Sequence, residues 1–416
     1  MPSTAASPRR ISLDATPEEA ALRLWGLPGF AWLDTAGHRH TGGEGISLLA
    51  ALPREVLRGH LRHPDALRAA LQRHFPDRVQ VALGFPAGGL IGTVDYDGRF
   101  EFGVYDRMLI HQHGSGEWWD AGDLSGCFQA AEPPRGGAVS FRQQVDAAEF
   151  LRQVRCAREY IRCGDIYQVN LSHAFDAVWP AGADPFALYL RLRRISPAPY
   201  AAFLNLGRRQ VLSSSPESFL KMSGQGIRTR PIKGTRPRFR DSTADVRSSL
   251  DLLTSEKERA ELLMITDLER NDLGQVCDYG SVEVSELLKL EAYAQVFHLV
   301  STVQGTLRKE ADHVTALAAC FPGGSITGAP KKRAMEIIAE LERADRGLYT
   351  GAIGCLGANG ESRFSIAIRT LTVEDGHATF RVGAGIVADS DPQREWEETL
   401  HKAAGLLSAA ENRHPH

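Results

Sequence analysis

The sequence has no CxxC pair and no metal-type cysteine spacing. Its six cysteines, Cys127, Cys156, Cys163, Cys277, Cys320 and Cys355, are scattered. Scattering of this kind excludes a zinc ribbon or a small disulfide scaffold and points to reduced, partly buried thiols. No apolar run reaches the ~18–20 residues that a membrane-spanning helix needs. The opening MPSTAASPRRISLDATPEE has two arginines but no apolar segment behind them, so it does not read as a secretory signal. The default compartment is the cytoplasm. An excess of one charge is missing too: the net charge is −3. No global basic field is there to collect nucleic acid or anionic lipid. There is no internal repeat of fixed period.

What is present is an ordinary globular composition, 43% apolar and 24% charged over 416 residues. A chain of this length buries roughly 75% of its unfolded surface, enough to build a rigid internal site. The first ten residues are expected to be frayed. Short apolar runs with Gly and Pro fill 20–130, among them VQVALGFPAGGLIGTVDYD, and the alternation of Phe100, Phe102 and Val104 predicts strands. The loop-like AAEPPRGG, 131–138, divides an N-terminal region, 1–138, from the remainder, 139–416.

Beyond it, Phe150, Leu151, Val154, Ala157 and Ile161 form the stripe of an amphipathic helix, with Gly164 at its C-terminal cap. Further helices are predicted near 185–195, 255–272, 328–343 and 392–410. Strands are predicted at IYQVNLSHAF, YAAFLNL, VLSSSPESFLKM, 351–357, 362–373 and 377–387. Strands in runs, without regular βα alternation, favour α+β with large antiparallel sheets.

Four stretches carry chemistry. In SEKERAELLMITDLERNDLG, Ser255 caps a helix and Glu258 stands at capping-box spacing. Glu261 is set in apolar sequence, so it is either exposed on the back of the helix or buried with a partner. In SDPQREWEETLHKAAGLL, Asp391 caps and Pro392 suits the first helical position. Trp396, Leu400, Ala403 and Leu407 make the apolar stripe, and Glu395, Glu398 and Lys402 lie roughly opposite. A solvated face with a Glu398–Lys402 pair is one reading. The other is that Glu258, Glu261, Glu395 and Glu398 form two Glu-x-x-Glu pairs able to share one Mg²⁺, an ion that takes a few carboxylates and keeps its waters.

The glycine-rich FPGGSITGAPKKRAMEII runs into a helix, a setting for a carboxylate or for tight packing. It is no phosphate loop of the Walker type, because Ala329 and Pro330 follow Gly328. RVGAGIVADS offers a second backbone that a ligand can approach closely. In SRFSIAIRTL, Phe364, Ile366 and Ile368 alternate with a face that carries Arg369, a natural partner for a carboxylate. Tyr349 and His298 sit beside apolar runs; a core role and a catalytic one are both open. Lys233 stands in RPIKGTRPR between Ile232 and Gly234. It is a surface loop lysine, a helper in a phosphate patch, or an amine that burial and neighbouring arginines turn into a nucleophile.

Taken together, SSSPESFL, RPIKGT, ERAELLMITDLERNDLG, VFHLVSTVQG, FPGGSITGAPK, YTGAIG, SIAIRT and GAGIVADSDPQREWEET resemble the chorismate-utilising enzymes from about residue 145 to 408. Within that family the chain most resembles component I of the aminodeoxychorismate synthases. The resemblance implies two large antiparallel sheets packed with flanking helices, with chorismate and Mg²⁺ bound deep inside. It implies Glu261 and Glu398 as principal metal ligands, and Glu258 and Glu395 as their companions. It places Arg369 and Tyr349 on the enolpyruvyl carboxylate, and Gly234, Thr235, Ala384, Gly385 and Lys402 on the rest of the substrate. It gives His298 a part in proton transfer and makes Lys233 a covalent nucleophile.

Anthranilate synthases resemble the chain but carry Ala at the position of Lys233. Isochorismate synthases use a lysine where Gln168 stands here. The implied reaction is Mg²⁺-dependent amination of chorismate to 4-amino-4-deoxychorismate, toward 4-aminobenzoate and folate. No G-x-C-x-G elbow is present, so ammonia is expected from a separate glutamine amidotransferase subunit. An anthranilate- or isochorismate-forming enzyme is the alternative. A non-catalytic chorismate- or tryptophan-binding regulatory subunit is the alternative of another class.

Overall fold

The computed structural model describes residues 8–35, 45–76, 83–293 and 296–411. Two antiparallel sheets, of twelve and ten strands, carry the fold, and helices flank them. The expected α+β architecture with two large antiparallel sheets is what is seen. Strands on both sides of the 131–138 stretch share the sheets: Ala31–Asp34 pairs with Tyr200–Asn205, and Gly89–Val94 pairs with Ala352–Gly357. The N-terminal region is therefore woven into both layers. Residues 131–138 carry no regular element. Residues 1–7 and 79–82, where fraying and part of a strand are expected, lie outside the described residues. Arg9 and Arg10, expected to be frayed, belong to an edge strand, Arg9–Ile11, against Glu117–Ala121.

The helix Ala147–Arg162 buries Phe150, Val154 and Ala157, and Gly164 follows with φ +81°. The helices Pro185–Ile195 and Pro392–Ala410 run over the expected spans. The helix Ser242–Thr254 was not anticipated, because its sequence STADVRSSLDLLT has no clear apolar stripe; it buries only Ser248 and Leu252. All six cysteines are free. No helix among the described residues is long and apolar enough to cross a membrane.

Two continuous strands predicted from sequence are each broken. VLSSSPESFLKM becomes Arg209–Ser215 in the larger sheet and Ser218–Ser223 in the smaller. Pro216 and Glu217 form the crossing between sheets. Likewise 362–373 becomes Glu361–Ile366 in the smaller sheet and Thr370–Glu374 in the larger. Arg369 sits at that second crossing with φ +49°, a left-handed conformation rare for a side chain of its size. Alternation along a single strand cannot foresee a switch of sheets. Both crossings open onto one cavity.

A buried ion network braces that cavity. Glu342 accepts from Arg346 at 2.6 and 3.0 Å and from Arg381 at 3.0 Å. It also accepts the Ser172 N–H at 2.8 Å. Arg346 donates to Asn170 O at 2.6 Å and lies over the Tyr349 ring. Removing the shared carboxylate strands two buried guanidinium groups. Glu342→Leu is therefore expected to cost about 3–5 kcal/mol of stability, read by chemical denaturation; a loss under about 1 kcal/mol would show that the network is not a structural brace.

Candidate active site

The cavity encloses about 560 Å³ between the two sheet crossings and two helices. We call Glu256–Gly274 the first acidic helix and Pro392–Ala410 the second. Lys233, Gly234, Thr235, His298, Tyr349, Arg369, Gly385, Lys402, Glu258, Glu261, Glu395 and Glu398 all line it. Ala384 does not. In the strand His377–Ile386, Gly383 and Gly385 line the cavity, while Ala384 is buried in the core cluster that also holds Val169, Leu171 and Ile337.

Lys233 is not in a loop. It belongs to the strand Ile232–Pro237, paired with Val296–Thr306, and the register slips between Lys233 and Thr235. Gly234, with φ +70°, forms the bulge. A Cβ there would meet Leu252 Cδ1 at 2.6 Å and Glu258 Oε2 at 3.1 Å. The bulge re-aims the lysine inward. Its side chain is 16% exposed, and its Nζ lies 3.7 Å from Glu261 Oε2. A methyl group on Gly385 would stand 3.5 Å from that Nζ and 2.9 Å from Gln168 Nε2. Glycine keeps this space beside the amine open. The amide of Gln168 is fully buried and has no hydrogen-bond partner among the described residues.

Each arginine of the motif is tied to a carboxylate of its own, although Arg236 shares the cavity wall with Lys233. Arg230 pairs with Glu291 at 2.5 Å, Arg236 with Asp251 at 2.5 Å, and Arg238 with Asp245 at 2.9 Å. Carboxylates surround the amine instead. Glu217, at the first sheet crossing, is buried, and desolvation holds its pKa above the usual range against the pull of Ser325 and Lys233. Sequence reading missed Glu217. Its one signal was a carboxylate directly after proline inside SSSPESFL.

Ser255 caps the first acidic helix by accepting the Glu258 N–H at 3.4 Å. The Glu258 side chain does not close the capping box; it turns to Arg236 at 3.5 Å. Burial raises the pKa of Glu261, with Lys233 and Lys257 opposing it. On the second helix Asp391 caps by accepting the Arg394 N–H at 2.9 Å. Glu395 is buried rather than solvated, accepts from Ser390 Oγ at 2.7 Å, and burial raises its pKa. Burial also acts to raise that of Glu398, but Lys402, 2.7 Å away, prevails and lowers it.

Among the described residues no three metal-ligating groups converge into a ready cage. Lys257 stands between Glu261 and Glu395, at 3.9 and 3.7 Å. The donor set nevertheless suits Mg²⁺: hard carboxylate oxygens from two helices, with room left for water and an anionic ligand.

Arg369 has no ion pair among the described residues, and burial lowers its pKa. A desolvated cation without a counter-charge is suited to receive a carboxylate. Tyr349 is buried, with its hydroxyl 2.6 Å from where a Cβ on Gly383 would be. Lys402 donates to Gly383 O at 2.9 Å. His298 is neutral, its pKa pushed by burial to about 4. Its Nδ1 lies 3.0 Å from Thr235 Oγ1 and 3.3 Å from Gly234 O. The glycine-rich stretch before Lys331 does hold a carboxylate, but it is the chain's own Glu269, which accepts from Gly324 N at 3.1 Å.

Residues 97–408 match the family described as chorismate binding enzyme. Anthranilate synthase component 1 of Streptomyces coelicolor is 47% identical over 281 residues, covering 67% of this chain and 55% of that protein. Aminodeoxychorismate synthase component 1 of Bacillus subtilis is 44% identical over 274 residues, covering 66% and 58%. The chain thus spans little more than half the length of these relatives. The crystal structure of anthranilate synthase component I from Streptococcus pneumoniae TIGR4 has a TM-score of 0.77 at 30% identity, covering 87% of this chain and 92% of that one. The menaquinone-specific isochorismate synthase of Escherichia coli, at 19% identity and a TM-score of 0.81 over 98% and 96%, shares the fold. The matched span runs through both sheets and every wall of the cavity: the chain belongs to the chorismate-binding enzyme family.

Proposed function

We propose that the chain aminates chorismate to 4-amino-4-deoxychorismate, a step toward 4-aminobenzoate and folate. The observation that carries this reading is Lys233: an amine that enters the cavity beside Glu261, with open space kept over it by Gly385. Arg369 and Tyr349 grip the enolpyruvyl carboxylate, and Lys402 and the 383–385 backbone hold the rest of the substrate.

Lys233 first gives a proton to Glu217, a carboxylate whose burial favours the protonated form. The amine's electron pair then adds to C2 of chorismate, the C1=C2 pair moves to C1=C6, the C5=C6 pair moves to C4=C5, and the C4–O bond breaks as the hydroxyl takes a proton and leaves as water. Ammonia adds at C4, both pairs shift back to C1=C2 and C5=C6, and the C2–N bond breaks as Lys233 departs with a proton given up by the new amine. Two easier displacements replace one hard one. Neutral His298 is placed to pass protons. Mg²⁺, held by Glu258, Glu261, Glu395 and Glu398, would supply positive charge at the ring carboxylate. Ammonia would come from a separate glutamine amidotransferase subunit in a heterodimer.

The identity to anthranilate synthases favours a second reading, anthranilate formation. One assay decides. The full chain is given chorismate, Mg²⁺ and an ammonium salt, and products are resolved by mass and fluorescence. The expected product is 4-amino-4-deoxychorismate. Anthranilate or isochorismate as the main product would reject the proposal, and binding without turnover even with an amidotransferase present would favour a regulatory subunit.

A further inference from the structure

The acidic cleft contains a lysine that the proposed chemistry does not use. Lys257 rises from the first turn of the first acidic helix. Its Nζ is 3.9 Å from Glu261 Oε1 on its own helix and 3.7 Å from Glu395 Oε1 on the other. Among the described residues it is the cation whose ion pairs join the two helices. Lys233 and Arg236 pair with the first helix only, and Lys402 pairs within the second. Burial works to lower the pKa of Lys257, yet Glu395, Glu261, Glu398 and Glu258 together hold it above its ordinary value. These are the same four carboxylates assigned to the metal.

Their exposure sets the logic. The Glu261 and Glu395 side chains are 12% and 5% exposed, so neither can escape its neighbour's charge into water. A cation must stand between them for the helices to pack with both ionised. Lys257 is 47% exposed. It can swing out to solvent without repacking anything, which the 16%-exposed Lys233 cannot.

We propose that Lys257 is the resident counter-cation of the acidic cleft, seated between the two helices before loading and displaced to solvent when a divalent ion takes its place. This rests on the metal assignment above. A cleft that binds only while the lysine is out has its affinity reduced by the fraction of time it is out. If Lys257 is seated about nine-tenths of the time, removing it tightens binding about tenfold.

The test is Mn²⁺ titrated into the full chain without substrate, followed by the loss of the free-ion EPR signal. Wild type, Lys257→Met, Lys257→Gln and Lys257→Arg are compared, with circular dichroism as the fold control. Both neutral variants are expected to bind Mn²⁺ about tenfold more tightly, and the arginine variant to stay within about threefold of wild type. The metal-free neutral variants should melt at lower temperature and gain more from Mn²⁺ than wild type does. If the methionine variant does not fold, the glutamine variant decides. Equal or weaker binding by the neutral variants, with wild type binding normally, would overturn the counter-cation role. A wild type that binds no Mn²⁺ would remove the metal assignment itself.

Discussion

Lys233→Ala is expected to lower the amination of chorismate by about 10²–10⁴-fold and to leave no covalent adduct to trap. The loss should fall on turnover. Among the described residues the ion pair of Lys233 is a 3.7 Å approach to Glu261, which keeps Lys257 as a second counter-charge. On the proposed reading Arg369, Tyr349 and Lys402 would grip the substrate from other walls of the cavity, so KM should move little. Some rate should survive, because the cavity would still hold ammonia against a bound ring. Trapping with borohydride is unsuited to a secondary amine adduct. Rapid quench and intact-protein mass spectrometry of the wild type with chorismate, but no ammonia, should instead show a mass gain equal to chorismate less water, mapped to the peptide holding Lys233. A Lys233→Ala enzyme as fast as wild type under all conditions would end the nucleophile role.

Most of this site was legible because its residues lie in long, specific stretches. What failed to show in the sequence has physical causes. Arg369 was placed on the polar face of one straight strand; the chain instead changes sheet there, and a left-handed residue turns the guanidinium into the cavity. Ala384 entered with the GAGIV backbone, and its methyl is buried in the core, which leaves only its backbone to a ligand. Lys233 read as a loop residue, since Gly and Pro around it signal turns; the same glycine makes a bulge in a paired strand. Lys257 went unread because a lysine four before a glutamate on a helix looks like any solvated i, i+4 pair. Only the second helix, distant in sequence, gives it another partner.

Glu261→Gln and Glu398→Gln are each expected to reduce Mg²⁺-dependent turnover by about 10²-fold or more, as loss of a charge that stabilises a transition state does. The two should differ in what they leave behind. Glutamine at 261 keeps the shape but removes the counter-charge of both Lys233 and Lys257, so the metal-free fold should lose stability as well as activity. Glu398 is exposed, and among the described residues its ion pair is with Lys402, one turn along its own helix. Its loss should weaken metal binding with little change in melting temperature. Glu397→Gln is the control: that side chain is exposed and accepts a hydrogen bond from Gln393 at 2.9 Å, away from the cavity. It should change neither property. The measurement is initial rate against Mg²⁺ concentration, with Mn²⁺ affinity read separately. If either substitution leaves the magnesium curve where it was, the acidic helices do not hold the metal, and the charge that eases loss of the hydroxyl must come from the arginines and lysines of the cavity alone.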